Sequence, residues 1–137
     1  MEDIMKGNIK AIIKKPGEKA EVVIIVNSLE NLQAIVEGYI ETVPFPNMEN
    51  VDIILDEEGK LKGSKPNIYL HEYEDILCGT MIVVGVNLDE GEFISLDEEQ
   101  IKKVEKYLNN NDAKDFEGDI EDSIHFEVFF NDEPVSK

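Results

Sequence analysis

Arginine and tryptophan are absent from the 137 residues, and cysteine occurs once, at Cys78. Without arginine the chain lacks the planar fork of donors that reads base edges or grips phosphate at two points. A single cysteine permits no intrachain disulfide and gives no sign of an oxidising compartment. Flanked by apolar Leu77 and small Gly79, Cys78 reads as a buried filler. Histidine is scarce too, with only His71 and His125. These two and Cys78 do not suffice for a conventional zinc site without carboxylates, and no sequence context activates the thiol as a nucleophile. No catalytic residue, metal or cofactor is therefore expected. Long apolar runs are also missing: "AEVVIIV" and "TMIVVGV" are of strand length, well short of the ~20 residues that cross a bilayer. The amino-terminal "MEDIMKGNIK" carries acids and lacks the basic flank and apolar middle of a secretory signal. A cytoplasmic protein is the expectation.

What dominates instead is carboxylate. Against 13 lysines stand 31 acids, for a net charge of −18. Self-repulsion opposes approach to DNA, RNA or an anionic membrane, so direct nucleic-acid and membrane partners are not expected, whereas basic proteins are natural electrostatic partners. Solubility alone accounts for the same composition. The acids are unevenly distributed: residues 28–58 hold eight and no lysine, and residues 71–100 hold nine and no lysine. Within and beyond these blocks, Glu49, Asp52, Glu72, Glu74 and Asp75, with Asp112, Asp115, Glu117, Asp119, Glu121 and Asp122 of a later acidic connector, are the residues expected to face a basic partner.

At this length, with 42% hydrophobic residues, the chain builds one core and one domain. "NIKAIIKK" and "EVVIIV" are β-rich runs joined at Pro16–Gly17, an opening hairpin. Ser28 is placed to cap a helix in which Leu29, Leu32, Val36 and Tyr39 recur at helical spacing, with Gly38 serving its end. "YIETVP" and "VDIILD" read as strands, 62–74 as an ordered loop, and "GTMIVVGV", apolar on both faces, as a central strand turning into "FISL". Asp97 and Gln100 form a capping box, Leu96 and Ile101 a hydrophobic staple, and Ile101, Val104 and Leu108 the buried stripe of a second helix ended by Asn109–Asn111. "IHFEVFF" reads as a last strand. The sum is an α+β domain, a mainly antiparallel sheet with two helices, its body at 1–111 and residues 112–137 packed on it as connector, strand and frayed tail.

One stretch inverts the charge. "EEGKLKGSKPN" holds Lys60, Lys62 and Lys65 with two glycines, yet the glycines are one residue too close for a P-loop, Ser64 precedes Lys65, and Pro66 follows. Two readings stay open: a turn with solvated lysines, or a looser anion-binding loop of Lys60, Lys62, Lys65 and Asn67. A calcium loop fails in the acidic connector: with Gly118 at the sixth position, Ala113 and Ile124 occupy the first and twelfth, where oxygen ligands belong.

Across "NSLENLQAIVEGYIETVPFP", "LDEEGKLKGSKPNIYL" and "GTMIVVGVNLDEGEFISLDEEQ", the chain resembles the bacterial and phage family called domain of unknown function 3846. Gly38-Tyr39-Ile40-Glu41, Glu58-Gly59-Lys60, Pro66-Asn67 and Gly79-Thr80 carry the likeness, over roughly residues 8–108. The family commonly has Asn where Asp56 stands and Arg where Ile68 stands, so the resemblance implies no shared polar site at this loop. It does imply a phage, plasmid or other mobile-element setting, with no general enzymatic activity. In that setting three expectations follow. The first is a non-enzymatic acidic protein that binds a basic host protein, including nucleic-acid mimicry against a defence nuclease. The second is a small-molecule or nucleotide-binding protein that sequesters its ligand on the lysine loop, and the third a structural or regulatory homo-oligomer.

Overall fold

A computed structural model describes residues 7–115. Among these the order is β1 (Asn8–Lys14), β2 (Glu21–Val26), α1 (Leu29–Val36), β3 (Ile40–Pro44), β4 (Val51–Asp56), β5 (Pro66–Leu70), β6 (Asp75–Cys78), β7 (Met81–Asn87), β8 (Glu92–Ile94), α2 (Glu98–Asn110) and a 3-10 turn (Ala113–Asp115). The domain is α+β with a mainly antiparallel sheet, as expected. Its path is β2-β1-β7-β4-β3, with β8 continuing beside β7, and β5-β6 form a separate two-stranded sheet. No helix among the described residues is long and apolar enough to cross a membrane.

Both faces of the large sheet are covered, which is why its middle strand is apolar throughout. Met81 and Val83 face a layer made by α2 and the β5-β6 hairpin, where Ile12, Ile53, Leu55, Ile68, Leu77, Val104 and Leu108 pack together. Ile82 and Val84 face α1, joining Ile9, Ala11, Leu32, Val36 and Ile54. Period-two alternation thus serves two cores at once, and full burial of each side chain stabilises by roughly 1.5–3 kcal/mol relative to exposure.

The helix ends follow local chemistry. Asn31 N–H donates to Ser28 Oγ at 3.1 Å. In α2, Gln100 N–H donates to Asp97 Oδ1 and Asp97 N–H to Gln100 Oε1, both at 2.8 Å, closing the expected box. One expectation is corrected at the end of α1. The left-handed residue is Glu37, at φ 65°, and not Gly38. Leu29 and Tyr39 are also outside the buried stripe, at 57% and 70% exposure, because α1 is short and turns only Leu32 and Val36 fully to the sheet. A Cβ branch in the left-handed region costs roughly 1–2 kcal/mol. Glu37→Gly should therefore raise stability by about 0.5–1 kcal/mol in urea denaturation; an unchanged midpoint would show that the left-handed residue carries no strain.

A second correction concerns 62–74, expected to be a loop. Pro66–Leu70 and Asp75–Cys78 are paired strands with an irregularity between Pro66 and Ile68. That irregularity buries Asn67, Ile68 and Leu70 together, so no clean alternation reaches the sequence. Residues 112–115 stay on the same domain: Tyr69 N–H donates to Asn111 O at 3.0 Å, Ile68 bridges Asp112, and Ala113 is buried. The "IHFEVFF" strand and the tail lie outside the described residues.

Candidate functional site

Lys14 points inward from the end of β1 and is fully buried. All three of its donors are used: Nζ lies 2.7 Å from Asp112 Oδ2, 3.0 Å from Asn67 Oδ1 and 3.2 Å from Lys15 O. Asn67 Nδ2 donates in turn to Lys14 O at 2.8 Å and to Gly79 O at 2.7 Å, and Asp112 Oδ1 accepts from Lys114 N–H at 2.9 Å. Burial alone would raise the Asp112 carboxyl, but the Lys14 hydrogen bond, the Lys114 amide and the two ammonium charges outweigh it and hold it below the ordinary range. Asp112 and Asn67, both expected in surface sites, are thus internal. The network ties β1, β5 and the segment after α2 together. Sequence reading missed Lys14, although it shares a strand face with buried Ile12; alternation was the available signal.

The lysine loop proves to be anchored by two of its three ammonium groups. Lys60 forms an ion pair with Asp75. Lys62 Nζ donates to Asp56 Oδ2 at 2.7 Å and to Glu37 O at 3.0 Å, while Asp56 Oδ1 accepts from Glu58 N–H at 2.9 Å. Burial pushes the Asp56 carboxyl up, yet the Lys62 bond and the Glu58 amide bring it below its usual value; the same bond raises Lys62. Gly38 is required here, since a Cβ on it would sit 2.5 Å from the Asp56 carboxylate. Lys65 is exposed and Asn67 is used inside. The four residues proposed for an anion therefore do not converge on one point.

Two clefts flank this loop. One of about 290 Å³ is lined by Glu41, Glu57, Lys60, Asp75 and apolar Leu61 and Ile76; burial, then the charges of Glu57 and Asp75, raise the Glu41 carboxyl against the pull of Lys60. The other, of about 410 Å³, has Lys15, Lys62 and Lys65 facing Glu18, Glu37 and Asp56, so its formal charges cancel. Among the described residues no group of three or more His, Cys, Asp or Glu is arranged to hold a metal.

The larger feature is polarity along the strands. One end of the sheet is defined by the pairs Asn8↔Val26, Val51↔Gly85 and Asn87↔Glu92, the other by Lys14↔Met81 and Ile40↔Asp56. The first end carries the turns 45–50 and 88–91 and the starts of both helices, and with them exposed Glu30, Glu49, Asp89, Glu90, Glu92, Asp97, Glu98 and Glu99. Half-buried Asp52 belongs to the same end, its carboxyl raised by burial. Opposite lie Lys15 and Lys19 of the β1-β2 turn, Lys60, Lys62 and Lys65, and Lys114, interleaved with Glu18, Glu37, Asp56, Glu57 and Glu58, so that end is mixed in charge while the first is acidic. Lys103 is 3.7 Å from Glu99, but both are mostly in solvent, where such a pair contributes little.

The expected acidic residues separate accordingly. Glu49 and Asp52 fall at the acidic pole and Glu74 is exposed on the β5-β6 turn. Glu72 on that turn accepts from the Tyr107 hydroxyl at 2.6 Å and from Asn47 Nδ2 at 3.0 Å. The Tyr107 bond lowers the Glu72 carboxyl, and burial followed by that bond raises the phenol. Asp75 is spent on Lys60 and Asp112 on Lys14. Asp115 closes the 3-10 turn, and Glu117, Asp119, Glu121 and Asp122 lie outside the described residues. The turn acids Asp89 and Glu90 and the helix-start acids fall within the lysine-free blocks 28–58 and 71–100 but were not singled out there, because only the strand order gathers them.

In comparison with known proteins, the family described as domain of unknown function (DUF3846) matches residues 9–109. No curated protein and no solved structure matches the chain.

Proposed function

Because the chain belongs to the DUF3846 family, whose function is unknown, we propose a role from its own electrostatics: a non-catalytic cytoplasmic protein whose acidic pole docks on a basic surface of another protein. The observation that carries this reading is the segregation of Glu49, Asp89, Glu90, Glu92, Glu98 and Glu99 at one end of the sheet, away from most lysines. Charges gathered on turns and helix starts produce a directed field, which steers a positive macromolecule and fixes its orientation. A surface that binds nucleic acid has the required sign, and in the mobile-element setting that the family resemblance implies, a host defence nuclease is the fitting class of partner.

The test is retention of purified bacterial nucleic-acid-binding proteins on the immobilised chain at about 0.1 M and about 0.5 M salt, where screening shortens from roughly 10 Å to roughly 4 Å. Retention of a basic protein should fall on the order of tenfold at the higher salt. A Glu49→Gln, Asp89→Asn, Glu90→Gln, Glu98→Gln variant should lose it at both. Equal retention by the variant would remove the acidic pole from the account.

A further inference from the structure

Leucine stands among the carboxylates of the acidic pole at two positions. Leu88, in the β7-β8 turn, is 75% exposed, and Leu29, the first residue of α1, is 57% exposed. Neither belongs to either core. Their neighbours in sequence are exposed acids: Asp89 and Glu90 follow Leu88, and Glu30 follows Leu29. The turn that carries Leu88 is built without its side chain. Asn87 Oδ1 accepts from Asp89 N–H at 3.1 Å and from Glu90 N–H at 3.3 Å, Gly91 N–H donates to Asn87 O at 2.8 Å, and Gly91 takes φ 69°. Those bonds hold the turn in one shape, so seating Leu88 in a partner costs little ordering of its backbone. Asn27 Nδ2 donates to Phe93 O at 3.0 Å and Ser28 Oγ caps α1, which brings the start of that helix up to the β7-β8 hairpin.

Resting on the acidic-pole reading, we propose that the pole fits a protein surface that binds single-stranded nucleic acid, with carboxylates in the place of phosphates and Leu88 and Leu29 in the place of bases. Nucleic-acid-binding surfaces differ in what they expect of a ligand. A duplex keeps its base faces stacked inside and turns phosphate outward, so a surface that holds it is met mainly by charge. A single strand presents both, and the grooves that bind it set exposed aromatic rings among their cations. Acids alone would suit the first kind. Leucines held among acids suit the second, because an apolar side chain packs on an aromatic face that a base would otherwise cover, while the adjoining carboxylates meet the cations around it.

The test sets the immobilised full chain against two groups of purified bacterial proteins, OB-fold single-strand binders and duplex binders, with oligothymidylate as competitor. A single-strand binder should be retained, and oligothymidylate should displace it. Leu88→Ser combined with Leu29→Ser should cut that retention on the order of tenfold. The factor should be the same at about 0.1 M and about 0.5 M salt, because apolar contact is not screened. The melting temperature should not change, since both side chains are already in solvent. Leu61→Ser, at a position 74% exposed on the opposite end, should leave retention as it was. Retention confined to duplex binders, a complex that oligothymidylate does not displace, or full retention by the double leucine variant overturns this proposal and leaves the acidic pole standing. Full retention by the acid-to-amide variant overturns the acidic-pole reading and this proposal with it, as does retention of neither group.

Discussion

Asp112→Ala should destabilise the protein by about 3–5 kcal/mol, because it leaves the Lys14 ammonium buried without a counter-charge. Asn67 and the Lys15 carbonyl remain as partners, but neither carries charge. Replacing both ions, Lys14→Met with Asp112→Leu, should recover most of that loss, since the pair itself must offset its own desolvation. Acid unfolding supplies the second readout. The folded Asp112 carboxyl is depressed, so its contribution is complete above the unfolded value of about 3.9 and disappears as pH falls through the lower folded value. The alanine variant should accordingly show a shallower loss of stability in that acid window. A cost under about 1 kcal/mol would mean that the Lys14 ammonium reaches solvent, contrary to its burial.

Gly38→Ala is the other large effect, at about 2–3 kcal/mol. The new methyl would meet a carboxylate that cannot swing away, because Asp56 is held by Lys62 on one oxygen and by the Glu58 amide on the other. Gly38 itself is not in the left-handed region, so the penalty is steric. Gly63 offers the contrast: it sits at φ 79° with open space around its Cβ position, and alanine there should cost only the roughly 1–2 kcal/mol of left-handed strain. A double-mutant cycle separates the causes. In an Asp56→Ala background the Gly38→Ala cost should largely vanish; an undiminished cost would place the clash elsewhere.

Features governed by neighbours in sequence were legible before the fold was seen. Pro16–Gly17 announced the first hairpin, Asp97 and Gln100 the start of α2, and the unbroken apolar run at 81–86 its place in the middle of the sheet. What was illegible depended on distant partners. Lys14 and Asp112 are 98 residues apart, and an aspartate opening an acidic run looks like a solvated one until a buried ammonium group meets it. Asn67 seemed free to meet an anion because its strand was hidden by an irregular register. Residues 57–63 do form a turn, one of the two readings left open, but Lys60 and Lys62 are paired rather than solvated, and their role in tying Asp75 and Asp56 to the sheet could not be read from local spacing. Charge segregation was half visible, as lysine-free blocks, and became polarity only through the strand order.

That strand order also constrains how the chain acquires its structure. β1-β2 and β3-β4 are hairpins close in sequence, yet neither pair touches the other until β7 slots between β1 and β4. A nascent chain lacking residues 81–87 therefore has two half-sheets and no keystone, and closing them requires contacts spanning most of the polypeptide, a topology that delays folding and leaves unfinished apolar faces in need of shelter during synthesis.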